Sequence, residues 1–372
     1  MHYIWQHIRT IIDTYDGSLP LAHFLKNYCK GFTQLGSRDR RILSEMAYCW
    51  YRCEKGIDGY EVADFEGKMK ACLRVCGNLS VIGRLLGSEE TVGDVALENS
   101  RLFPFEIPFS YGISKDAWLS SLLVQPSLFI RIRKQKTQIV KLLEEQSIPY
   151  QFMAEDIMSL PNGAKIDALL PPIAYVVQDA SSQQTAKWFQ PKKHERWYDC
   201  CSGAGGKSLL LKDLEPTVQL TVTDIRQSIL HNLQERIRNY GHTAPSAYVT
   251  DVTDNEKLEQ TLKGKLFDNI ICDAPCSGSG TWARTPEQAF FFDPMSLTRF
   301  THLQEGIATN VAQYLKPGGR LIYITCSVFE AENENVVATV VTNTGLQLIE
   351  SKLINGVEIK ADSMFVAVLR KM

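Results

Sequence analysis

Two stretches carry side chains suited to covalent chemistry: Asp273-Ala274-Pro275-Cys276-Ser277-Gly278-Ser279-Gly280 and Thr325-Cys326-Ser327. Each follows an apolar run that reads as a buried strand, 266–272 before the first and 320–324 before the second. In an open α/β sheet, ligands gather outside the carboxyl ends of the strands. Two such ends would bring one carboxyl and two thiols to a single mouth. A carboxyl that shares a proton with a ring nitrogen, beside a thiolate that attacks ring carbon, is equipped for covalent chemistry on a pyrimidine. The plain alternative for Cys276 and Cys326 is a pair of small buried residues.

The elements that must position these groups read as an alternation of strands and helices from about residue 165 onward. Strands are expected at 197–201, 218–223, 247–250, 266–272 and 319–325, with a final pair at 346–349 and 365–369. Helices are expected at 209–214, 227–240 and 303–315, the last closed by a turn at Lys316-Pro317-Gly318-Gly319. This alternation predicts a doubly wound, mainly parallel sheet. After the first strand comes Cys201-Ser202-Gly203-Ala204-Gly205-Gly206-Lys207, where missing Cβ atoms let backbone approach a ligand. The spacing differs from the G-x-G-x-x-G of dinucleotide sites. Asp224 ends the second strand and is placed to accept from ribose hydroxyls; Asp251 ends the third and is placed to take an exocyclic amino group. Either acid alone reads better as a helix cap. Together at successive strand ends they suggest a nucleoside-bearing cofactor, a dinucleotide or S-adenosylmethionine.

Residues 1–110 read as helical, with Ile4, Ile8, Ile11, Ile12 and Tyr15 on one face and Ser37 as the N-cap of a third helix. A turn is expected at 87–93 and a linker at 102–108, where two prolines hold their neighbours extended. The bundle either presents a solvated charged face or binds RNA through Arg38, Arg40 and Arg41. Residues 111–164 read as a small α/β module: a strand at 126–133, a helix at 137–145 and a strand at 150–153. Arg131, Arg133, Lys134 and Lys136 make it the best basic patch outside the catalytic part, residues 165–372. Near the reactive loop, Trp282, Arg284 and Phe290-Phe291-Phe292 are candidates for stacking on RNA or for core packing.

Composition sets bounds on these readings. A formal charge of −2 over 372 residues argues against coating nucleic acid by bulk charge but leaves room for a local basic groove. No apolar run approaches the ~18 residues of a membrane span, and the N-terminus lacks the pattern of a secretory signal. A cytoplasmic protein is the expectation. Ten cysteines in a chain of this length suit a reducing compartment. Cys49/Cys53 and Cys72/Cys76 share helical faces, as buried thiols or as a zinc site, whose usual spacing is shorter. No Cys-x3-Cys-x2-Cys run offers iron–sulfur ligands. No metal and no obligate protein partner is expected.

Taken together, these residues resemble the RNA (cytosine-5)-methyltransferases of the Sun/Nop type. The resemblance runs from Gln178-Asp179-Ala180-Ser181-Ser182-Gln183 through 199–208, Asp224, Asp251 and 273–280 to Thr325-Cys326-Ser327 and Glu332-Asn333-Glu334. It implies a Rossmann-like sheet that binds S-adenosylmethionine through Cys201, Ser202, Gly203, Ala204, Gly205, Gly206, Lys207, Asp224, Asp251 and Asp273. It further implies Cys326 as nucleophile, Cys276 as the thiol assisting release, and Asp273 acting at ring nitrogen 3. The front end, with Leu35-Gly36-Ser37-Arg38-Asp39-Arg40, is similar to the NusB-like domain of the ribosomal RNA branch. Small-subunit (16S) ribosomal RNA is then the expected substrate, with tRNA methylation or a non-catalytic ribosome-assembly role as alternatives. The chain departs from the family in two places. Ala204 stands where a proline is usual in the glycine turn, and 328–331 lack the usual proline.

Overall fold

The computed structural model describes residues 2–57, 65–78, 81, 83–84 and 95–372. The turn expected at 87–93 lies outside the described residues. The chain forms two compact units: Met1–Ile107 with Ser114–Gln125 and Thr281–Pro294, and Pro108–Ile113 with Pro126–Gly280 and Met295–Met372.

The first unit is helical because its apolar residues recur at helical spacing. His2–Thr14 buries Ile4, Ile8 and Ile11, and Leu21–Lys30 buries Leu21, Leu25 and Cys29. Ser37–Cys53 and Phe65–Val75 complete one shared core. The helix at Ser37 is capped differently from the expectation: Gly36 precedes it, and the Asp39 carboxylate folds back to accept the Gly36 amide at 3.2 Å. Cys49, Cys53 and Cys72 are buried in this core, with Cys53 Sγ 3.9 Å from Cys76 Sγ.

Two expectations about this unit change. Trp282 is buried against Trp118 and Phe103, and Phe290 stacks edge-on to Tyr51 with centroids 5.1 Å apart. Residues 281–294 therefore furnish core to the helical unit, and Trp282 and Phe290 are not an RNA-stacking surface. Phe103, expected in a linker, is fully buried for the same reason. Aromatic rings of this size each remove ~150–250 Å² from water, which outweighs the extended preference of a proline-rich segment.

The second unit holds two sheets. The smaller, in order β2-β3-β1-β4, is antiparallel and comprises β1 (Leu128–Ile132), β2 (Gln151–Phe152), β3 (Ile157–Leu160) and β4 (Tyr175–Val177). Its fourth strand lies beyond residue 164. Because β1 runs between β3 and β4, Arg131 is buried and ion-paired to Asp213 at 2.6 Å. The alternating arginines of 126–133 thus do not form an exposed basic face. Arg133 is also held by Asp213, at 2.6 Å.

The larger sheet comprises β5 (Arg196–Asp199), β6 (Gln219–Asp224), β7 (Ser246–Val249), β8 (Phe267–Asp273), β9 (Leu315–Thr325), β10 (Gln347–Ile354) and β11 (Met364–Arg370). Its order is β10-β11-β9-β8-β5-β6-β7, parallel from β9 to β7, with β11 and β10 antiparallel at one edge. This is the Rossmann-like arrangement, and its apolar strands are covered on both faces as parallel sheets require. The Pro–Gly segment expected to be a turn instead opens β9, and a register shift between Phe267 and Asn269 absorbs it. The chain starts at β5, winds out through β6 and β7, then returns to the other side of β5 as β8. That reversal opens a crevice between the carboxyl ends of β5 and β8.

Candidate active site

The reactive loops meet at that crevice. Cys276 Sγ and Cys326 Sγ lie 3.3 Å apart, although fifty residues separate them. Gly280 allows this approach: its amide donates to Cys326 O at 2.8 Å, and a Cβ there would sit 2.0 Å from Ser363 O. The hydrogen bond shared with Cys326, burial and the nearby Glu332 hold the Cys276 thiol well above the ordinary thiol range. Cys276 therefore favours its protonated thiol form, within hydrogen-bond reach of the Cys326 sulfur.

A group without an assigned role in the sequence, Glu332, ties the two loops together. Fully buried, it accepts from Ser277 N at 2.7 Å, Ser277 Oγ and Ser327 Oγ at 2.5 Å each, and Gln304 Nε2 at 3.0 Å. Gln304 also reaches Pro275 O at 2.8 Å. Asn333 supports the second loop, accepting from Thr325 Oγ1 and donating to Ser327 O at 2.9 Å. One carboxylate thus fixes the residue after each cysteine. Glu332→Ala is expected to lower kcat on the order of 10²-fold through misplacement of the sulfurs, with cofactor affinity kept. Steady-state kinetics beside calorimetric cofactor titration checks this; an unaltered kcat would show the loops align without it.

Asp273 ends β8 with its side chain 33% exposed and Lys207 Nζ at 3.4 Å. Lys207 is buried and donates to Ser182 Oγ at 2.9 Å, so it serves the Asp273 side of the crevice.

Next to Pro275, the residue before Cys276, opens a cavity of about 420 Å³, lined also by Cys201, Asp224, Ile225, Thr250 and Asp251. The turn Gly203–Gly206 passes from β5 into the helix Gly206–Leu214; Gly205 has φ +80°, and a Cβ there would meet Leu233 at 2.7 Å. Gly203 N donates to Asp224 Oδ2 at 3.2 Å, while Ala204 O accepts from Arg236 at 3.1 Å. Ser202 is spent inside the fold, on Thr223 O at 3.1 Å. Burial would push the Asp224 carboxyl up, but bonds from Arg226 and Gly203 outweigh it and hold it below the usual range. Asp251 is exposed and accepts from Thr253 Oγ1 at 2.6 Å. Thus Cys201, Asp224 and Asp251 come together at this cavity, whereas Ser202, the turn Gly203-Ala204-Gly205-Gly206, Lys207 and Asp273 do not line it. Two lining groups carried no signal in the motif: Ile225, 67% exposed, and Thr250, whose buried Oγ1 has no partner. Among the described residues no group of three or more metal-ligating side chains is arranged to hold an ion.

Beneath the turn, Asp199 is fully buried, with Ser208 Oγ at 2.6 Å from one oxygen and no hydrogen bond to the other. Burial pushes its carboxyl up to about 7. A carboxyl raised in the folded state binds its proton more tightly folded than unfolded, so stability falls as pH rises from about 4 to about 7 and the penalty is complete above that. Asp199→Asn is expected to remove this slope, gaining a few kcal/mol relative to wild type between pH 5 and pH 8, since each tenfold difference in proton affinity is worth ~1.4 kcal/mol. Urea midpoints at the two pH values measure it, and parallel pH profiles would refute it.

Residues 186–369 match the family described as 16S rRNA methyltransferase RsmB/F. The ribosomal RNA small subunit methyltransferase B of Klebsiella pneumoniae is 31% identical over 192 residues, taking in 51% of this chain and 43% of that protein. The chain spans about half the length of the curated relatives it matches. Among solved structures, PH0851 gives a TM-score of 0.73 at 16% identity, covering 99% of this chain and 97% of the other. NSun6 from Pyrococcus horikoshii, crystallised with SFG, gives 0.59 at 16% identity, covering 69% and 94%. At such identities these likenesses speak to fold.

Proposed function

Residues 186–369 belong to the 16S rRNA methyltransferase RsmB/F family, and from that premise we propose that the chain methylates carbon 5 of a cytosine in RNA, small-subunit ribosomal RNA first, through a covalent thiolate adduct. The observation that carries the proposal is the 3.3 Å separation of Cys276 and Cys326, with Pro275, next to Cys276 in the chain, lining a nucleoside-sized cavity. S-adenosylmethionine, bound there, supplies an electrophilic methyl group. The residues suit it: Asp224 for ribose hydroxyls, exposed Ile225 against the adenine face, and the orphaned Thr250 hydroxyl and Asp251 for polar edges.

In this mechanism the Cys326 thiolate forms a bond to carbon 6 of cytosine, and the ring electrons displaced toward nitrogen 3 make carbon 5 nucleophilic. Lys207, held by Asp273 at 3.4 Å, brings a positive charge to the nitrogen 3 edge and offsets the negative charge that builds there. Carbon 5 takes the methyl group; solvent then accepts the carbon 5 proton, and the bond to Cys326 breaks to restore the double bond. The Cys276 thiol hydrogen-bonds the departing sulfur and stabilises it as thiolate. Reaching carbon 6 requires a looped or extruded base. Contact of residues 1–110 with RNA, a cytoplasmic location and the absence of an obligate protein partner belong to the same proposal; no described helix is long and apolar enough to cross a membrane.

The test is transfer of a radioactive methyl group from S-adenosylmethionine to small-subunit ribosomal RNA, with tRNA in parallel, followed by bisulfite sequencing. Label at one cytosine of ribosomal RNA supports the proposal. Label on tRNA alone overturns the substrate, and no label on either overturns the activity.

A further inference from the structure

A second cavity, of about 830 Å³, lies within the unit that holds both sheets. It stands near the upper end of the ~300–1,000 Å³ typical of ligand sites. Arg133 and Lys134 line it after β1, Gln183 and Lys187 line it from Ala180–Gln184 and the turn Thr185–Trp188 that follows, Asp213 lines it from the helix Gly206–Leu214, and His242 from the loop after the helix Gln227–Asn239.

Its charges divide into two kinds. Asp213 is consumed internally, held by Arg133 at 2.6 Å, by Arg131 at 2.6 Å and by His242 Nε2 at 2.6 Å. Burial would push its carboxyl up, but these partners keep it below the usual range. That cluster is a rigid wall. Lys134 and Lys187 are exposed, and their ammonium groups make no hydrogen bond or ion pair among the described residues, against one exposed lining carboxylate, Asp156. Gln183 is 3% exposed; its Nε2 donates to Gln178 O at 2.7 Å, while its Oε1 is buried with no partner. A buried acceptor left bare is destabilising, and a donor arriving with a ligand would relieve that.

Two exposed cations beside an unpaired acceptor match a phosphodiester and a hydroxyl or amino donor, the groups a ribonucleotide presents. The position fits too. Ser182, the neighbour of Gln183, accepts from Lys207, which pairs with Asp273 in the reactive crevice. One short segment therefore borders both places.

Resting on the reading of the chain as an RNA methyltransferase, we propose that this cavity holds a nucleotide flanking the target cytosine. Lys134 and Lys187 contact its phosphates, and Gln183 Oε1 accepts from its ribose 2′-hydroxyl.

The test uses the full chain carrying K134E and K187E together, with the small-subunit ribosomal RNA that wild type methylates. The expected result is a KM for RNA raised tenfold or more, the loss falling on KM rather than kcat. Removal of two phosphate contacts also lowers the slope of log affinity against log salt by ~1.4, at about 0.7 per single-stranded contact. Both lysines are exposed, so the fold is retained, and S-adenosylmethionine affinity reports it. Q183L is the second variant: it should weaken binding of RNA but not of DNA of the same sequence. An unchanged KM and salt slope in the lysine variant overturns the phosphate contacts, and equal losses on RNA and DNA overturn the 2′-hydroxyl contact. Failure of wild type to methylate any RNA overturns the underlying function instead, so the two failures are distinct.

Discussion

Cys326→Ala is expected to abolish methyl transfer, by about 10³-fold or more, while binding S-adenosylmethionine within about twofold of wild type. The size follows from covalent catalysis: without the thiolate bond at carbon 6, carbon 5 stays a weak nucleophile, and no positioning effect replaces a missing bond. Cys276 does not substitute, since its hydrogen bond to Cys326, burial and Glu332 keep it a thiol. The cofactor cavity is lined by Cys201, Asp224 and Asp251 and not by Cys326, so its affinity should survive. Methyl incorporation and calorimetric titration on one preparation decide the matter. Residual turnover above a tenth of wild type would remove Cys326 as nucleophile. Loss of cofactor binding would make its role structural.

The reactive centre was legible in sequence because each partner sits at the end of a strongly apolar strand. The sheet rule converts that position into a common mouth without knowledge of side-chain geometry. Glu332 was marked only as a station of the family resemblance, and its role was not legible. It lies in the polar run 330–334, where a glutamate ordinarily faces solvent, and its importance arises only when Ser277 and Ser327 arrive from loops fifty residues apart. Arg131 misled for the opposite reason. Alternation with Ile130 and Ile132 suggests an outer face, yet Asp213, some eighty residues later, supplies the charge that lets it be buried. Of the small sheet, β1 and β2 were legible but β3 and β4 were not: β4 has three residues, too few for any period to register. Its strand character comes from pairing with β1.

Cys276→Ala is expected to leave the first half of the reaction intact and to trap its product, so that protein–RNA adducts accumulate on a denaturing gel in the presence of S-adenosylmethionine. Cys276 is not required for attack, because Cys326 lies on its own loop, which Glu332 and Asn333 hold independently of the Cys276 side chain. What the substitution removes is the S–H group 3.3 Å from the departing sulfur. An isolated hydrogen bond to a charged group contributes ~1.5–3 kcal/mol, so the elimination step should slow by about 10- to 100-fold. Attack and methyl transfer, left at their former rates, then fill the adduct state faster than it empties. The double variant C276A/C326A supplies the control: it should show no adduct, because the bond to carbon 6 never forms. Adduct in the double variant would mean that another residue is the nucleophile. Absence of adduct in Cys276→Ala, with turnover at the wild-type rate, would mean that the sulfur of Cys326 leaves without help and that the proximity of the two thiols serves packing alone.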